Sequence, residues 1–291
     1  MKPIVKTQIY YQPTKIFKLI LSRINKRIAK KNSKKNLQLV IFSFDHIGLS
    51  INMDGRYENE NLILLEKFIN EKIPNSDEEI ALDIGANIGN HSIFFSKYFK
   101  KVFAFEPNPK TYDLLLINSK LISQKKIVPY NFGLSNNNGN LSLKSNPSNI
   151  GASRIISLPT NQLKNNITNI KVKIADEIKS IQTEKISFIK IDVEGHEINA
   201  LKGAENIIKS NKPIIVFEQQ AKEIKNQSSE VIEYLTTLNY NFYTIVKRFY
   251  FGESFLGKLL GLLLRIFFGE QLSLVKTTRF DKRFYSMIIA I

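Results

Sequence analysis

The sequence contains no cysteine and no tryptophan, and it has only three histidines. Without cysteine the chain can form neither a disulfide bond nor a thiolate metal site, and it has no cysteine nucleophile. A reducing compartment is therefore permitted, and we expect a cytoplasmic protein. The histidines, His46, His91 and His196, are too scattered to form a zinc site, and we interpret the first two as structural.

Acidic residues are missing from the first 44 positions, where eleven Lys and Arg residues precede Asp45. The whole chain carries a net charge of +16, from 42 basic and 26 acidic residues. Such an excess suits nucleic acid, an anionic membrane surface or an acidic substrate. Because the excess is concentrated at one end, we interpret this segment as an address or a contact surface.

The basic segment also carries an apolar stripe. Residues 14–31 place isoleucines four apart, at Ile16, Ile20, Ile24 and Ile28, with Lys and Arg on the remaining faces. This pattern predicts a basic amphipathic helix. Two interpretations are open: the helix lies on an anionic bilayer, or it docks on the rest of the protein with its basic face in water.

No apolar run is long enough to span a membrane, which takes about 20 residues. The longest apolar stretch, within residues 254–270, is interrupted by Lys258 and Arg265. It predicts either a helix in the membrane interface or a hydrophobic lid over the core. We therefore divide the chain into a basic segment (1–36), a main domain (37–248), a hydrophobic and basic excursion (249–283) and a last strand of the main sheet (284–291).

Residues 79–107 organise the chain. Two short apolar runs, each containing or ending at an acid, flank a helical pattern: the first contains Asp83 and stops at Gly85, and the second stops at Glu106. This is a strand, a glycine turn, a helix and a second strand with an acid at its tip. Glycines at 85 and 89 let a ligand approach the backbone, and the acid can accept both hydroxyls of a ribose.

The spacing of this turn distinguishes between nucleoside ligands. The turn has a characteristic residue at every second position, namely Asp83, Gly85, Asn87 and Gly89. A dinucleotide pyrophosphate instead favours the tighter G-x-G-x-x-G turn. An acid in the turn repels phosphate and suits a cation. S-adenosylmethionine, which has a sulfonium, an ammonium and a ribose but no phosphate, matches these properties.

Strand and helix patterns alternate along the main domain, which predicts a doubly wound α/β fold with a mostly parallel sheet. Further strands are predicted at 37–50, 186–191, 214–218 and 240–246, and a loop at 146–157. Ligands of such sheets bind beyond the carboxyl ends of the strands. One cleft is therefore expected to collect the acids at those ends, Asp83, Glu106, Asp192 and Glu218.

These residues carry a resemblance to the FkbM-type methyltransferases, which use S-adenosylmethionine. The matching segments run in the family's order and are LDIGANIGNHS (82–92), FEPNP (105–109), IKIDVEGHE (189–197), ALKGA (200–204) and IIVFE (214–218), together with DGRYENE (54–60), GLSNNNG (133–139) and GASR (151–154). The resemblance implies a seven-stranded, Rossmann-like class I methyltransferase sheet. It also implies O-methyl transfer to sugars, polyketides or other natural products.

The resemblance also implies roles for individual residues. Asp83, Gly85, Asn87 and Gly89 would shape the methionine pocket, and Glu106 would hold the ribose. The segment 130–135, with Asn131 and Gly133, would lie near the adenine, although Gly133 stands where alanine is more usual in the family.

A hydroxyl acceptor benefits from a general base, and Asp192 or Glu194, at the tip of a parallel strand, is best placed. We predict Asp192 first; both residues could instead cap the next helix or bind the cofactor's ammonium. His196 is a weaker candidate base. Asp192 with Glu218 could hold Mg²⁺, but we do not favour this and assign no metal site.

Our preferred hypothesis is an O-methyltransferase at a membrane surface, acting on a glycan that could be lipid-linked. An RNA methyltransferase is the main competing hypothesis. Against it, no Asn/Asp-Pro-Pro-aromatic motif follows the strand that ends at Asp192, and the positive charge lies in an apolar-striped helix. Two further hypotheses stay open at this point: methylation of a small natural product, and a non-catalytic peripheral membrane protein with the same fold.

Overall fold

The computed structural model describes residues 12–35, 37–122, 126–146, 149–156, 167–252 and 254–291. Residues 1–11 and 36 of the predicted basic segment, and residues 147, 148 and 157 of the predicted loop at 146–157, lie outside this description. The helices are α1 (Lys15–Asn32), α2 (His46–Asp54), α3 (Asn59–Lys72), α4 (Asn90–Phe95), α5 (Pro109–Lys120), α6 (Lys179–Gln182), α7 (Glu197–Lys202), α8 (Glu205–Asn211), α9 (Glu230–Thr237) and α10 (Phe255–Phe268).

The strands form two sheets. They are β1 (Ile80–Ile84), β2 (Lys101–Phe105), β3 (Ile127–Tyr130), β4 (Gly133–Leu134), β5 (Gly139–Asn146), β6 (Asn149–Ile156), β7 (Ile167–Lys173), β8 (Ile186–Ile191), β9 (Ile214–Gln219), β10 (Phe242–Lys247), β11 (Leu272–Thr277) and β12 (Tyr285–Ala290). The main sheet has eight strands in the order β11-β10-β12-β9-β8-β1-β2-β3. The second sheet has the order β4-β7-β5-β6.

The predicted α/β sheet is confirmed, but the strand count of seven is wrong. Five neighbouring strands, β9, β8, β1, β2 and β3, are parallel. The pairs β12–β9, β10–β12 and β10–β11 are antiparallel, so the sheet is mixed. The eighth strand, β11, lies at one edge of the sheet and within the predicted excursion. It pairs with β10 over six residue pairs. The excursion at 249–283 is therefore partly a component of the sheet.

The core explains why the central strands are apolar on both faces. Every residue of β1 is buried. Ile80, Leu82 and Ile84 pack in one cluster with α7, α8 and α9, whereas Ala81 belongs to a second cluster with α3 and α4. This alternation places helices on both sides of the sheet, which is the doubly wound architecture.

The predicted strand at 37–50 is wrong. Residues 37–42 have no regular structure, and α2 begins after Asp45, whose carboxylate accepts a hydrogen bond from the amide of Ile47 (3.1 Å). The backbone of Val40 does not pair with another strand. Instead its N–H and C=O bond to the side-chain amide of Asn118, at 2.7 and 3.0 Å. An amide side chain therefore satisfies backbone groups that a neighbouring strand would otherwise pair.

The predicted loop at 146–157 is also corrected. Its residues Asn149–Ile156 form β6, which pairs with β5 from Ser142↔Ile156 to Asn146↔Asn149. Leu143, Ile170 and Val172 form a small core of their own in this second sheet. The β5–β6 hairpin thus belongs to a second sheet with a small core of its own.

The helices α1 and α10 leave much apolar surface in water. All residues of α1 are at least partly exposed, including Ile16, Phe17 and Ile20. On α10, nine of the fourteen residues are apolar side chains with 43% exposure or more, and Phe255 and Phe267 reach 79% and 78%. Within the described residues, no helix is both long enough and apolar enough to cross a bilayer.

Candidate active site

A cleft opens where the carboxyl ends of β1, β2 and β8 meet. The empty space between its walls, which includes open solvent, is about 640 Å³. One wall is built from the turns after β1 and β2, including Gly85, Asn87 and Glu106. The opposite wall comes from the turn after β8, and Leu143, Ser153 and Ile155 of the β5–β6 hairpin contribute a third side.

The turn after β1 depends on left-handed backbone conformations. Gly85, Asn87 and Gly89 have φ values of 81°, 51° and 90°. A Cβ atom on Gly85 would lie 1.8 Å from the backbone oxygen of Asp192, so the tips of β1 and β8 approach more closely than any side chain permits. This close approach brings the two turns together around one cleft.

Glu106 lies at the tip of β2 and lines this cleft. One carboxylate oxygen accepts the backbone N–H of Asn87 (2.8 Å), and the other accepts that of Asn108 (2.8 Å). Burial raises the pKa of Glu106, while these backbone donors oppose the shift. Each oxygen has a further lone pair, so the pre-oriented carboxylate can accept two vicinal hydroxyls.

Asn108 is a site residue that the sequence reasoning missed. Its oxygen caps α5 through the amide of Lys110 (3.1 Å), whereas its buried Nδ2 has no hydrogen-bond partner among the described residues. The residue lines the cleft together with Thr111. An unpaired buried donor beside a pre-oriented carboxylate fits a nucleoside, which offers acceptors on its base and its sugar. In the sequence, the signal for Asn108 was its position as a candidate helix cap two residues after Glu106, the acid that follows β2.

Asp83 does not reach the cleft surface. Its side chain is fully buried, and it accepts a hydrogen bond from Ser92 (2.5 Å). The ammonium of Lys190 lies 3.6 Å from Asp83, 3.3 Å from Asp192 and 3.2 Å from the carbonyl of Gly85. Burial alone would lower the pKa of Lys190, but Asp192, Asp83 and Glu58 raise it above its ordinary value. Asp83 thus stabilises the floor of the cleft through its ion pair with Lys190.

Asn131 and Gly133 are the residues expected near an adenine, and only Gly133 lines the cleft. The side chain of Asn131 is exposed, and its amide donates to the carbonyl of Glu106 (3.0 Å) instead of lining the cleft. Gly133 does line the cleft. Its φ is not in the left-handed region, and a Cβ atom there would make ordinary contacts, the nearest at 3.4 Å from Val172.

The turn after β8 brings Asp192, Glu194 and His196 to the cleft. Glu194 has a left-handed φ of 53°, and burial and the nearby Asp192 raise its pKa. The buried carboxylate of Glu197 fixes the turn by accepting the amides of Val193 and Gly195, at 3.2 and 3.1 Å.

His196 is poorly suited to be a base. Its Nδ1 lies 3.2 Å from the side-chain nitrogen of Asn199, and its Nε2 lies 3.0 Å from the hydroxyl of Ser135. If the amide donates to Nδ1, then Nε2 carries the proton and donates to Ser135. Burial also lowers the pKa of His196, which favours this neutral, structurally engaged form.

A second cavity of about 380 Å³ adjoins the first and shares Asp192 with it. Its walls come from α3, α4 and the ends of β8, β9 and β12, and they include Glu58, His91 and Glu218. His91, which the sequence analysis interpreted as structural, lies at the wall of this cavity. Its Nε2 is 3.2 Å from the carboxylate of Glu58. Glu218 accepts a hydrogen bond from Gln220 (2.7 Å).

The two carboxylates that could hold Mg²⁺ differ in their partners. Asp192 and Glu218 both line the second cavity, and the ammonium of Lys190 lies 3.3 Å from Asp192. Across the residues with assigned positions, no group of three or more His, Asp or Glu side chains has the geometry of a metal site.

Comparisons with known proteins agree on a family. The family model described as "Methyltransferase FkbM domain" matches residues 83–242. The hexuronic acid methyltransferase AglP of Haloferax volcanii is 37% identical over 141 residues, which cover 48% of this chain and 56% of that protein. Methyltransferase 1 of Beauveria bassiana is 25% identical over 178 residues, covering 52% of this chain and 72% of that protein.

Among solved structures, the FkbM methyltransferase of Methylobacillus flagellatus is similar over 59% of this chain and 40% of its own, with 22% identity and a TM-score of 0.41. This chain therefore spans about half the length of the Haloferax relative and less than half of the Methylobacillus chain. The family match covers more than half of the 291 residues and includes the cavity-lining residues from Ile84 to Glu218. The chain belongs to the methyltransferase FkbM domain family.

Proposed function

We propose that this protein is an S-adenosylmethionine-dependent O-methyltransferase that acts on a hydroxyl group of a sugar or glycan. The observation that carries the proposal is the carboxylate of Glu106, fixed by two backbone amides beside a glycine turn with close backbone approach. Membership of the family supports methyl transfer. The Haloferax relative, whose name says that it methylates a hexuronic acid, supports a sugar acceptor.

The residues of this chain would chiefly bind and orient. Glu106 would accept the ribose hydroxyls, and the unpaired Nδ2 of Asn108 would donate to the nucleoside. The carboxylates at the turn after β8 would face the cationic end of the ligand. S-adenosylmethionine, when bound, supplies a methyl group that its sulfonium has already activated. Alignment of the acceptor with that group is then the main contribution to the rate.

The first prediction tests the cofactor. Glu106→Gln is expected to weaken binding of S-adenosylhomocysteine about 100-fold, because two hydrogen bonds to a charged acceptor contribute about 1.5–3 kcal/mol each. Calorimetric titration measures this effect, with NAD as the control ligand. Glu184→Gln, which removes a carboxylate paired with Lys101 (3.3 Å), is the control variant and should bind normally.

Two results would contradict the cofactor assignment. One is a folded wild-type protein that does not bind S-adenosylhomocysteine or binds NAD instead, and the other is normal binding by Glu106→Gln. The acceptor class is tested separately by the release of S-adenosylhomocysteine with methyl glycosides and with RNA. Turnover with RNA alone would overturn the sugar proposal.

We also propose that α10 seats the protein on an anionic bilayer surface. The fourteen-residue helix is about 21 Å long, too short to span, and most of its apolar side chains are exposed. The surrounding segment 247–283 contains eight Lys and Arg residues and three acids. An apolar face within a basic segment suits the interface of an anionic membrane better than a second copy of the same basic chain.

The second prediction tests this surface with substitutions. Deletion of 249–283 would remove β11 from the sheet, so substitution is the cleaner change. The variant Leu256→Ser/Phe267→Ser, at positions 75% and 78% exposed, should lose most sedimentation with phosphatidylglycerol vesicles and stay folded. Phe44→Ser, 92% exposed on another segment, is the matched control and should sediment like the wild type. Equal sedimentation of all three proteins would refute the proposal.

A further inference from the structure

The second cavity has the location of an acceptor site. It adjoins the cleft at the ends of β1, β2 and β8 and shares Asp192 with it. Molecules bound in the two cavities would therefore meet at the tip of β8. The empty space between the walls of the second cavity, which includes open solvent, is about 380 Å³. The walls combine apolar side chains with hydrogen-bonding groups, namely Leu62, Leu65, Phe217 and Met287 with Glu58, Asn61, Glu218 and Ser286.

The charges of this cavity favour an uncharged acceptor. Three carboxylates, Glu58, Asp192 and Glu218, line it. The only ammonium among the described wall residues, that of Lys190, is already held by Asp192 and Asp83. His91 is likewise paired with Glu58. A negatively charged ligand would meet like charges in a partly desolvated space, whereas hydroxyl groups can donate to each carboxylate.

Glu218 differs from Asp192 in its surroundings. Asp192 lies 3.3 Å from the buried ammonium of Lys190 and is engaged in an ion pair with it. Glu218 has a neutral partner, the amide of Gln220. Burial raises the pKa of Glu218 to about 8, and Asp192, Glu58 and Glu194 add to the shift while Lys190 opposes it. Such a carboxyl becomes available as a proton acceptor as the pH rises through about 8.

We infer that the second cavity binds an uncharged, hydroxyl-bearing sugar unit and that Glu218 takes the proton from the reacting hydroxyl. This inference rests on the proposed function, and it replaces Asp192 as the predicted base. The acceptor oxygen forms a bond to the methyl carbon, the carbon–sulfur bond breaks, and its electron pair stays on sulfur. The hydroxyl proton moves to the Glu218 carboxylate, so atoms and charge balance. Lys190 and Asp192 position the tip of β8 between the two ligands.

The third prediction is tested on the full chain loaded with S-adenosylhomocysteine. Glutamate labelled with ¹³C at the carboxyl carbon gives one signal for Glu218, which is identified by its loss in Glu218→Gln. This signal should titrate near pH 8, because the carboxyl is protonated below that pH and ionised above it. Other groups that face or share the cavity are Asp192, Glu58, Glu194, Lys190, His91 and Tyr57, so the midpoint is that of a coupled site.

The same samples test the acceptor. Methyl glycosides of glucose, galactose, mannose and rhamnose are added, and at least one should shift the Glu218 signal. Methyl glucuronide, which adds a carboxylate to the glucose ring, should bind at least about tenfold more weakly than methyl glucoside at pH 9, where Glu218 is ionised, by about 1.4 kcal/mol. Glu184→Gln is the matched control and should behave like the wild type in every titration.

The outcomes separate this inference from the proposed function. If S-adenosylhomocysteine does not bind the wild type, the proposed function fails, and the inference fails with it. If it binds but Glu218 titrates below about pH 5, near its ordinary range, Glu218 is not the poised base. Tighter binding of the glucuronide, or no response to any uncharged glycoside with the cofactor analogue bound, would overturn the assignment of the cavity alone.

Discussion

Replacing Lys190 with methionine is expected to destabilise the protein by about 3–5 kcal/mol, a large fraction of the stability of a typical domain. The ammonium of Lys190 lies within 3.6 Å of two carboxylates, Asp83 and Asp192. Methionine keeps most of the volume but removes the charge. Asp83 would then remain as a buried, unpaired carboxylate, since its side chain is 0% exposed and one of its oxygens has no hydrogen-bond partner.

Urea unfolding of three variants measures this effect. Lys101→Met removes an ammonium paired with Glu184, but the two side chains are 37% and 27% exposed, so the cost should be about 1 kcal/mol or less. Asp83→Asn in the Lys190→Met background removes the stranded charge and should recover part of the loss. If Lys190→Met costs no more than Lys101→Met, the buried ion pair is not what stabilises the floor of the cleft.

The order of elements around the cleft could be predicted from local patterns. The strand, turn and strand of residues 79–107 were predictable because apolar runs, glycines and an acid occur at fixed spacings within thirty residues. The structure brings Gly85, Asn87, Glu106, Gly133, Asp192 and Glu194 to one cleft. The carboxyl ends of parallel strands meet at one edge, so this convergence follows from topology.

The remaining site features depend on contacts between distant segments. Lys190 was visible only as an interruption of an apolar strand, and its role needs the position of Asp83, more than one hundred residues away. Val40 was misassigned because its pairing partner is the side chain of Asn118. The strand β11 was missed because its ladder forms only when the chain returns beside β10 after a helix. No local period encodes such partners.

Two glycines of the same cleft give the last prediction, because an alanine should have opposite consequences at each. Gly85→Ala is expected to cost at least about 3 kcal/mol and to abolish binding of S-adenosylhomocysteine. The φ of +81° already strains an L-residue, and the new methyl group would lie 1.8 Å from the backbone oxygen of Asp192. The atom that must move is backbone, so relief requires the tips of β1 and β8 to separate.

Gly133→Ala is the matched control. A Cβ atom there would meet Val172 and Pro107 at 3.4 and 3.5 Å, which are ordinary contact distances, and the backbone is not left-handed. The change should stabilise the protein by about 0.4–1 kcal/mol, because alanine restricts the unfolded chain. Thermal unfolding and calorimetry compare the two variants. Equal losses would mean that the cleft tolerates no added methyl group, whereas normal binding by Gly85→Ala would show that close contact between the two turns is not required.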